Sequence, residues 1–355
     1  MQIDFKNFDI KNILPRTEFE KKVLQFLQDW FSDSETVSVQ TSGSTGIPKV
    51  FEIEKKRMLN SSKMTCDFLG LKEGDTALLC LPVQYISGKM MLVRAIERKL
   101  KVIISEPSST PEISQNTDFC AMTPLQVQNS LDKIHFIKNL IIGGAAVSEN
   151  LKSQLTSSIQ HPASNKIYET YGMSETLSHI ALKQISPVQE NYFTIFNDVE
   201  ISVDERNCLK IFAPKLNPEI LQTNDIVELM HFDSAQCDKK QFKFLGRFDN
   251  VINSGGVKIF AEELENLVKK HIDRDLVFLG KPDETLGEKL VLVIEDELFS
   301  EGCQSERSRR LKSEILNLKF ENKFHSPKEI LFLEKFPRAE NGKVLRKEIL
   351  KFLAD

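Results

Sequence analysis

Lys166-Ile-Tyr-Glu-Thr-Tyr-Gly-Met-Ser-Glu-Thr176 runs from a short apolar stretch into a segment crowded with hydroxyls, one glycine and one carboxylate. Lys166 to Glu169 reads as a strand, so Thr170 to Thr176 falls at a strand's carboxyl end, where ligands bind in open α/β sheets. Around it, short apolar runs alternate with helical patterns. Thr76 to Leu81, Lys101 to Ser105, Asp118 to Met122 and Leu140 to Ile142 read as strands, with helices over 55–69, 87–99 and 124–133 between them. That alternation predicts a βαβ sheet covered by helices. Ahead of it, Phe19, Val23, Leu24, Phe26, Leu27 and Trp30 lie near helical spacing within 17–31.

Between about 192 and 245 the strands become closely spaced (Phe193 to Phe196, Val199 to Val203, Leu209 to Phe212, Ile226 to Met230, Phe242 to Leu245), which predicts a small antiparallel or barrel-like β subdomain. After Gly246 the pattern mixes again, with helices over 261–271 and 305–323 and strands near 275–280 and 289–295. The expected fold is α/β (α+β). A large domain over 1–246, with helix-covered sheets and the β subdomain, is followed by a small α+β domain over 247–355, the boundary falling at Gly246 to Asn250.

A chain of 355 residues suits about two domains. Its net charge of -4, from 47 basic and 51 acidic residues, supplies no field for nucleic-acid phosphates. No apolar run approaches the roughly 20 residues that span a bilayer, and Met1 to Lys6 lacks the order of a signal peptide. A cytoplasmic protein is expected. Cys66, Cys80, Cys120, Cys208, Cys237 and Cys303 are dispersed, with no Cys-x-x-Cys pair, and read as reduced packing thiols.

Thr41-Ser-Gly-Ser-Thr-Gly-Ile-Pro-Lys49 sets hydroxyls and glycines ahead of a lysine, so backbone N–H groups, hydroxyls and one ammonium can converge on phosphate oxygens. Thr41, Ser42, Gly43, Ser44, Thr45 and Gly46 alone suit a Ser/Gly linker. Pro48 and Lys49 behind them argue for a phosphate loop, and Pro48 with Val50 departs from the Walker A pattern. In the quoted stretch, Tyr171 can stack on a purine, Ser174 can meet a phosphoryl or carboxyl oxygen, and Glu175 can hold Mg²⁺, an ion that takes few protein ligands. Alone, that segment reads better as a bland turn. Pro337-Arg-Ala-Glu-Asn-Gly-Lys-Val-Leu-Arg-Lys347 places Lys343 beside a flexible glycine, while Arg346 and Lys347 read as a basic surface tail.

Thr41 to Lys49, Tyr171 to Thr176, Gly246 to Asp249 with Ser254-Gly-Gly256, and Asn341-Gly-Lys343 occur together in an order that resembles the acyl-adenylate-forming superfamily of acyl-CoA synthetases, luciferases and peptide-synthetase adenylation domains. The resemblance covers about residues 38–350. Thr170 to Leu182, with Ser178 and His179, is most similar to the o-succinylbenzoate-CoA ligase branch of menaquinone biosynthesis. The family's roles carry over by position. Gly143, Gly144 and Ala145 resemble the turn against adenine, with Thr170, Tyr171, Gly172 and Met173 in the nucleotide site. Asp225 matches the ribose-binding aspartate, Arg247 the ribose-contacting arginine and Asp249 the hinge. Lys343 matches the adenylation lysine, and Gly255, Gly256 and Lys258 the segment that meets coenzyme A.

Three departures accompany the resemblance. Only 40 residues precede the phosphate loop, Gln84 and Tyr85 stand where many relatives have an aromatic and a histidine, and Asn341 replaces Ser or Thr. The resemblance implies a two-step ligase using ATP, Mg²⁺ and coenzyme A, with Lys343, Glu175 and Ser174 as catalytic residues. For the acid, Lys89 and Arg94 are the cationic candidates for a second carboxylate, with Tyr85, Ser178 and His179 beside them. The same lysine and arginine suit the solvated face of an amphipathic helix equally well. Another aryl- or fatty acyl-CoA synthetase, a nucleotide-binding module without turnover, and a P-loop enzyme releasing ADP are the alternatives. The state of assembly, monomer or homo-oligomer, stays open.

Overall fold

In β-strands buried on both faces the sequence is largely apolar along a continuous run, because successive side chains enter two different cores. A computed structural model of the chain shows this in β4 (Thr76–Leu79), β6 (Thr117–Met122), β7 (Ile137–Ile142) and β8 (Lys166–Gly172), with the other strands as given below. Ala77, Leu79, Phe119, Ala121, Ile141 and Tyr168 face one core. Leu78, Cys80, Cys120, Met122, Leu140, Ile142 and Ile167 face the other. The structure describes residues 1–40, 50–157, 165–230, 240–272, 274–296, 306–320, 322–338 and 344–353.

The chain opens with β1 (Gln2–Asp4) and α1 (Glu18–Trp30), followed by the paired strands β2 (Thr36–Gln40) and β3 (Val50–Glu54). Thr17 begins α1 with a capping box: its hydroxyl accepts from the Glu20 N–H and Glu20 reaches back to the Thr17 N–H. Next come α2 (Lys55–Leu69), β4, α3 (Ile86–Arg98) and β5 (Lys101–Ile104), then β6, α4 (Pro124–Gln128), β7, α5 (Glu149–Ser157) and β8. Residues of α1, α2 and α3 pack in the first core; α4 and α5 supply Val127, Leu151 and Leu155 to the second.

β9 (His179–Ser186), β10 (Phe193–Ile195), β11 (Glu200–Val203), β12 (Cys208–Ala213), β13 (Asn217–Met230) and β14 (Gln241–Arg247) complete a twelve-stranded sheet in the order β1-β5-β4-β6-β7-β8-β9-β10-β14-β13-β12-β11. β5, β4, β6, β7 and β8 run parallel, and from β9 onward each strand is antiparallel to its neighbour. Of the two forms expected for 192–245, the antiparallel one is found, and it continues the main sheet edge to edge. The chain passes from β4 outward to β5 and back to β6 on the other side of β4. The strand order therefore reverses between β4 and β6, the kind of switch point at whose carboxyl ends open α/β sheets bind ligands.

β15 (Val251–Ser254), β16 (Val257–Phe260), β17 (Leu276–Asp283), β18 (Gly287–Glu295) and β19 (Glu329–Leu333) form a second, five-stranded sheet. Helices α6 (Ala261–Lys269), α7 (Glu306–Leu316) and α8 (Arg346–Phe352) accompany it. It repeats the two-core rule: Phe278, Leu290 and Leu292 pack on one face, Val277, Leu279, Val291 and Val293 with Ile349 on the other. Three expectations need correcting. Helix 124–133 stops at Gln128 and helix 305–323 stops at Leu316. The strand expected to end at Glu169 continues to Gly172, because β9 pairs with it, Tyr171 opposite Ala181 and Gly172 opposite His179. No helix among the described residues is long and apolar enough to cross a membrane.

Candidate active site

The carboxyl ends of the parallel strands lie on one edge, where Gly143 to Ala145 follow β7 and Thr170 to Met173 close β8. β7 ends into Gly143, whose N–H donates to Met122 O at 3.0 Å, tying that turn to the end of β6. A Cβ on Gly143 would stand 2.6 Å from the Thr170 hydroxyl, so only glycine lets the ends of β7 and β8 approach this closely. Gly144 and Ala145 are exposed beyond it.

At the end of β8, a Cβ on Gly172 would lie 2.4 Å from the backbone of His179, so the β8–β9 hairpin closes only over a glycine. The hairpin's connection is a 3-10 turn over Ser174–Thr176. Thr176 is buried, and its hydroxyl accepts from the Met173 N–H and places its one proton within the turn, where Ser178 O lies 2.7 Å and Met173 O 3.0 Å away. Ser174 and Glu175 are left exposed. The only group of Glu175 with a recorded hydrogen bond among the described residues is its carbonyl, which accepts from Asn217.

Tyr171 and Asp225, 54 residues apart, meet directly: the phenol donates to the carboxylate at 2.6 Å. The Tyr171 ring packs edge-on against Phe242, at 4.9 Å, and beside Phe193, at 5.8 Å. Burial first, and then the Asp225 charge, push the phenol's pKa far up, so it stays a donor. Arg247 faces Asp225 across the β13–β14 ladder, with 3.9 Å between guanidinium and carboxylate, and lies 3.5 Å from Asp249. Asn224 donates to Asp249 at 3.2 Å and accepts from Arg206, which also bonds Asp204 and Thr223 O and lies over the Phe248 ring at 4.9 Å. Sequence reasoning missed Asn224 and Arg206. Asn224, directly before Asp225 in the chain, was the detectable one.

On α3 the two cations part. Lys89 donates to the Ser38 carbonyl and lies 5.4 Å from the Phe26 ring, turned toward α1 and β2. Arg94 is buried, 2% exposed, and so lies off the solvated helix face that was its alternative. Its guanidinium donates to the Ser178 hydroxyl at 2.9 Å and lies 4.0 Å from Met91 Sδ, and among the described residues its Nε has no partner. Ser178 in turn lies 3.2 Å from His179 Nδ1, and His179 Nε2 lies 3.1 Å from the Thr65 hydroxyl, which donates to Ser61 O. One proton arrangement satisfies this chain: Ser178 donates to Nδ1, and Nε2–H donates to Thr65. Burial, then the charge of Arg94, holds His179 well below its usual pKa and so neutral. Burial also lowers Arg94 itself, to about 10.

Tyr85 is half-buried and forms a parallel bridge with Gln40, the last residue of β2. Gln40 pairs with Val50, so Thr41, Ser42, Gly43, Ser44, Thr45, Gly46 and Lys49 join two placed strand ends but lie outside the described residues. Lys343 does too. Arg346 was read as surface tail, and the structure corrects this: it makes two 2.6 Å bonds to the Glu265 carboxylate and donates to Phe278 O. An 81-residue separation hid that pair. Lys347 is exposed. Gly255 and Gly256 form the turn of the β15–β16 hairpin, both at positive φ, and Lys258 is exposed on β16. Among the described residues these three make no recorded bond with Tyr171, Asp225 or Arg247. Cys66, Cys80, Cys120 and Cys208 are buried free thiols; Cys237 and Cys303 lie outside the described residues.

A family model described as AMP-binding enzyme matches residues 3–207. The 2-succinylbenzoate–CoA ligase of Listeria monocytogenes serotype 4b is 25% identical over 363 residues, covering 95% of this chain and 73% of that protein. The protein of the same name from Haemophilus influenzae is 26% identical over 374 residues, covering 99% and 77%. Among solved structures, an acyl-CoA synthetase (AMP-forming)/AMP-acid ligase II-like protein from Dyadobacter fermentans aligns over 98% of this chain and 97% of its own, with 32% identity and a TM-score of 0.63. The o-succinylbenzoate coenzyme A synthetase from Bacillus subtilis, in complex with ATP and magnesium ion, aligns over 88% and 69%, with a TM-score of 0.67. At 18% identity that last likeness speaks for the fold.

Proposed function

Because the chain belongs to the AMP-binding enzyme family of acyl-adenylate-forming ligases, we propose that it activates o-succinylbenzoate and transfers the acyl group to coenzyme A. In the first step an oxygen of one carboxylate attacks the α-phosphorus of ATP, the P–O bond to pyrophosphate breaks, and acyl-AMP forms. In the second, the coenzyme A sulfur attacks the acyl carbon, the bond to AMP breaks, and the thiol proton passes to solvent.

The residues take the following parts. Thr41, Ser42, Gly43, Ser44, Thr45, Gly46 and Lys49 bind phosphate oxygens, and Gly143 to Ala145 with Thr170 to Met173 bound the adenosine. Asp225 has one oxygen on Tyr171 and the other 3.9 Å from Arg247, which leaves acceptor lone pairs for two ribose hydroxyls. Glu175, an exposed carboxylate in the turn, suits a magnesium ion held mainly by phosphate oxygens, which would neutralise charge on the triphosphate. Ser174 meets the phosphoryl or carboxyl oxygen beside it. Lys343 serves adenylation, where a positive charge stabilises the α-phosphoryl transition state. Gly255, Gly256 and Lys258 serve the thioester step, the two arrangements being exchanged by rotation of 247–355 about Asp249.

The observation that carries the choice of acid is Arg94. A buried guanidinium with no carboxylate within ion-pair distance among the described residues has given up its hydration without recovering it from an anion. o-Succinylbenzoate brings two carboxylates, one to be activated and one to be held. The Arg94–Ser178 pair supports seating the held one beside the adenylate turn, with Tyr85 and His179 nearby. An acid with a single carboxylate would leave that cation unanswered. The test is release of AMP and pyrophosphate across a panel of carboxylic acids with coenzyme A. Turnover is expected with o-succinylbenzoate and weak with benzoate or a fatty acid; the reverse order would refute the substrate, and release of ADP would refute the reaction class.

A further inference from the structure

The nucleotide reading leaves unused a buried ionic cluster behind the adenine turn. Glu169, on β8, is 6% exposed. Its Oε1 accepts from the Val147 N–H at 3.1 Å. Its Oε2 faces Lys183 of β9 at 2.9 Å and Lys152 of α5 at 3.3 Å, contacts of charge more than of aligned hydrogen bonds. Lys152 is shared with Glu149 at 2.9 Å. Two carboxylates thus meet two ammoniums. Burial alone would raise the Glu169 carboxyl, and the two lysines with the Val147 N–H reverse that and hold it below the usual range.

Its place matters more than its charge. Gly143 to Ala146 is a largely exposed stretch, and its two flanks are fixed differently. The leading end is held by Gly143 N–H on Met122 O at 3.0 Å. The trailing end is held by Val147 N–H on Glu169. The cluster also reaches the ribose side, since the Lys183 ammonium lies 4.4 Å from the Phe193 ring and Phe193 packs on Tyr171 at 5.8 Å.

We propose that Glu169 is a positioning residue for nucleotide binding, tying the Gly143–Val147 turn to β8 through the Val147 N–H, with Lys152 and Lys183 holding its carboxylate in place. This rests on the reading that the turn lies against adenine. A turn pinned at both ends meets its ligand with less ordering left to do, so the tether acts on affinity and not on the chemical step.

The experiment is calorimetric titration of the full chain with AMP and with Mg·ATP, which needs no knowledge of the acid. Glu169→Met, similar in length but without an acceptor, is expected to bind AMP about tenfold more weakly, the scale of one lost charged hydrogen bond. Glu169→Gln, which keeps an acceptor for the Val147 N–H, is expected to stay within about threefold of wild type. In turnover, KM for ATP should rise by the same factor as the affinity falls, with kcat nearly constant. If Glu169→Met does not fold, Glu169→Met/Lys183→Met removes the ammonium left without its carboxylate, Lys152 keeping Glu149, and is measured instead. Wild-type affinity in the Met variant, or equal losses in Met and Gln, overturns the tether. A wild-type chain that binds neither nucleotide overturns the adenylate reading beneath it.

Discussion

Glu169 and Arg94 are both buried ionic side chains bonded to the β8–β9 hairpin, but Glu169 meets two ammoniums and a backbone N–H, while Arg94 meets a serine hydroxyl and a thioether among the described residues. The first charge is balanced within the protein, so its desolvation is already offset and its work is to hold shape. The second is not, so an anion brought by a ligand can recover what burial took away. On the proposed reading, balance marks scaffold and imbalance marks the place for the acid.

The largest effect that could break this contrast is on stability. Glu169→Ala leaves the buried Lys183 ammonium without a carboxylate and Lys152 with Glu149 alone, and should cost about 3–5 kcal/mol in urea unfolding. Arg94→Met breaks no ion pair, fills similar volume with apolar atoms, and should cost under about 1 kcal/mol or stabilise. Equal losses in the two variants would erase the distinction. Catalysis gives the next effect. Arg94→Met should raise KM for o-succinylbenzoate by about 10- to 100-fold, corresponding to roughly 1.5–3 kcal/mol of charged hydrogen bonding, and leave KM for ATP alone. Lys89→Met, whose ammonium is spent on Ser38 O and Phe26, should move the acid KM less than about twofold. If Lys89 proved the larger of the two, the anion would be held at the other end of α3.

The smallest effect concerns pH. His179 is kept neutral by burial and by Arg94. Below pH about 6.5 the unfolded chain binds a proton there that the folded chain refuses, so stability falls as pH falls, by about 1.4 kcal/mol per unit. His179→Gln should remove that part of the slope when unfolding is followed between about pH 7 and 5.5. An unchanged slope would mean that His179 charges in the folded protein and that Arg94 does not control it.

Much of the molecule was legible before folding. Apolar runs such as Leu140 to Ile142 announced strands under helices, and the helical spacing of Phe19 to Trp30 announced α1. The motif residues Tyr171, Asp225 and Arg247 could be named from their order in the chain, and the structure brings them together. β9 was not legible, because Ser178-His-Ile-Ala-Leu-Lys183 mixes polar and apolar residues without clean alternation; its partner β8 and the Gly172 contact impose it. Arg346 looked like any residue of a basic tail until Glu265 appeared beside it.

The sequence by itself determined what depends on neighbours along the chain: strand and helix periods, caps, glycine turns and the chemical types available at each turn. Tertiary structure decided which charges are answered. Arg94 and Lys89 are five residues apart on one helix and chemically alike, and their fates differ because one meets Ser178, 84 residues on, and the other Ser38, 51 residues back. A pairing energy depends on distance and on the water excluded around the pair. Both are set only when distant segments pack.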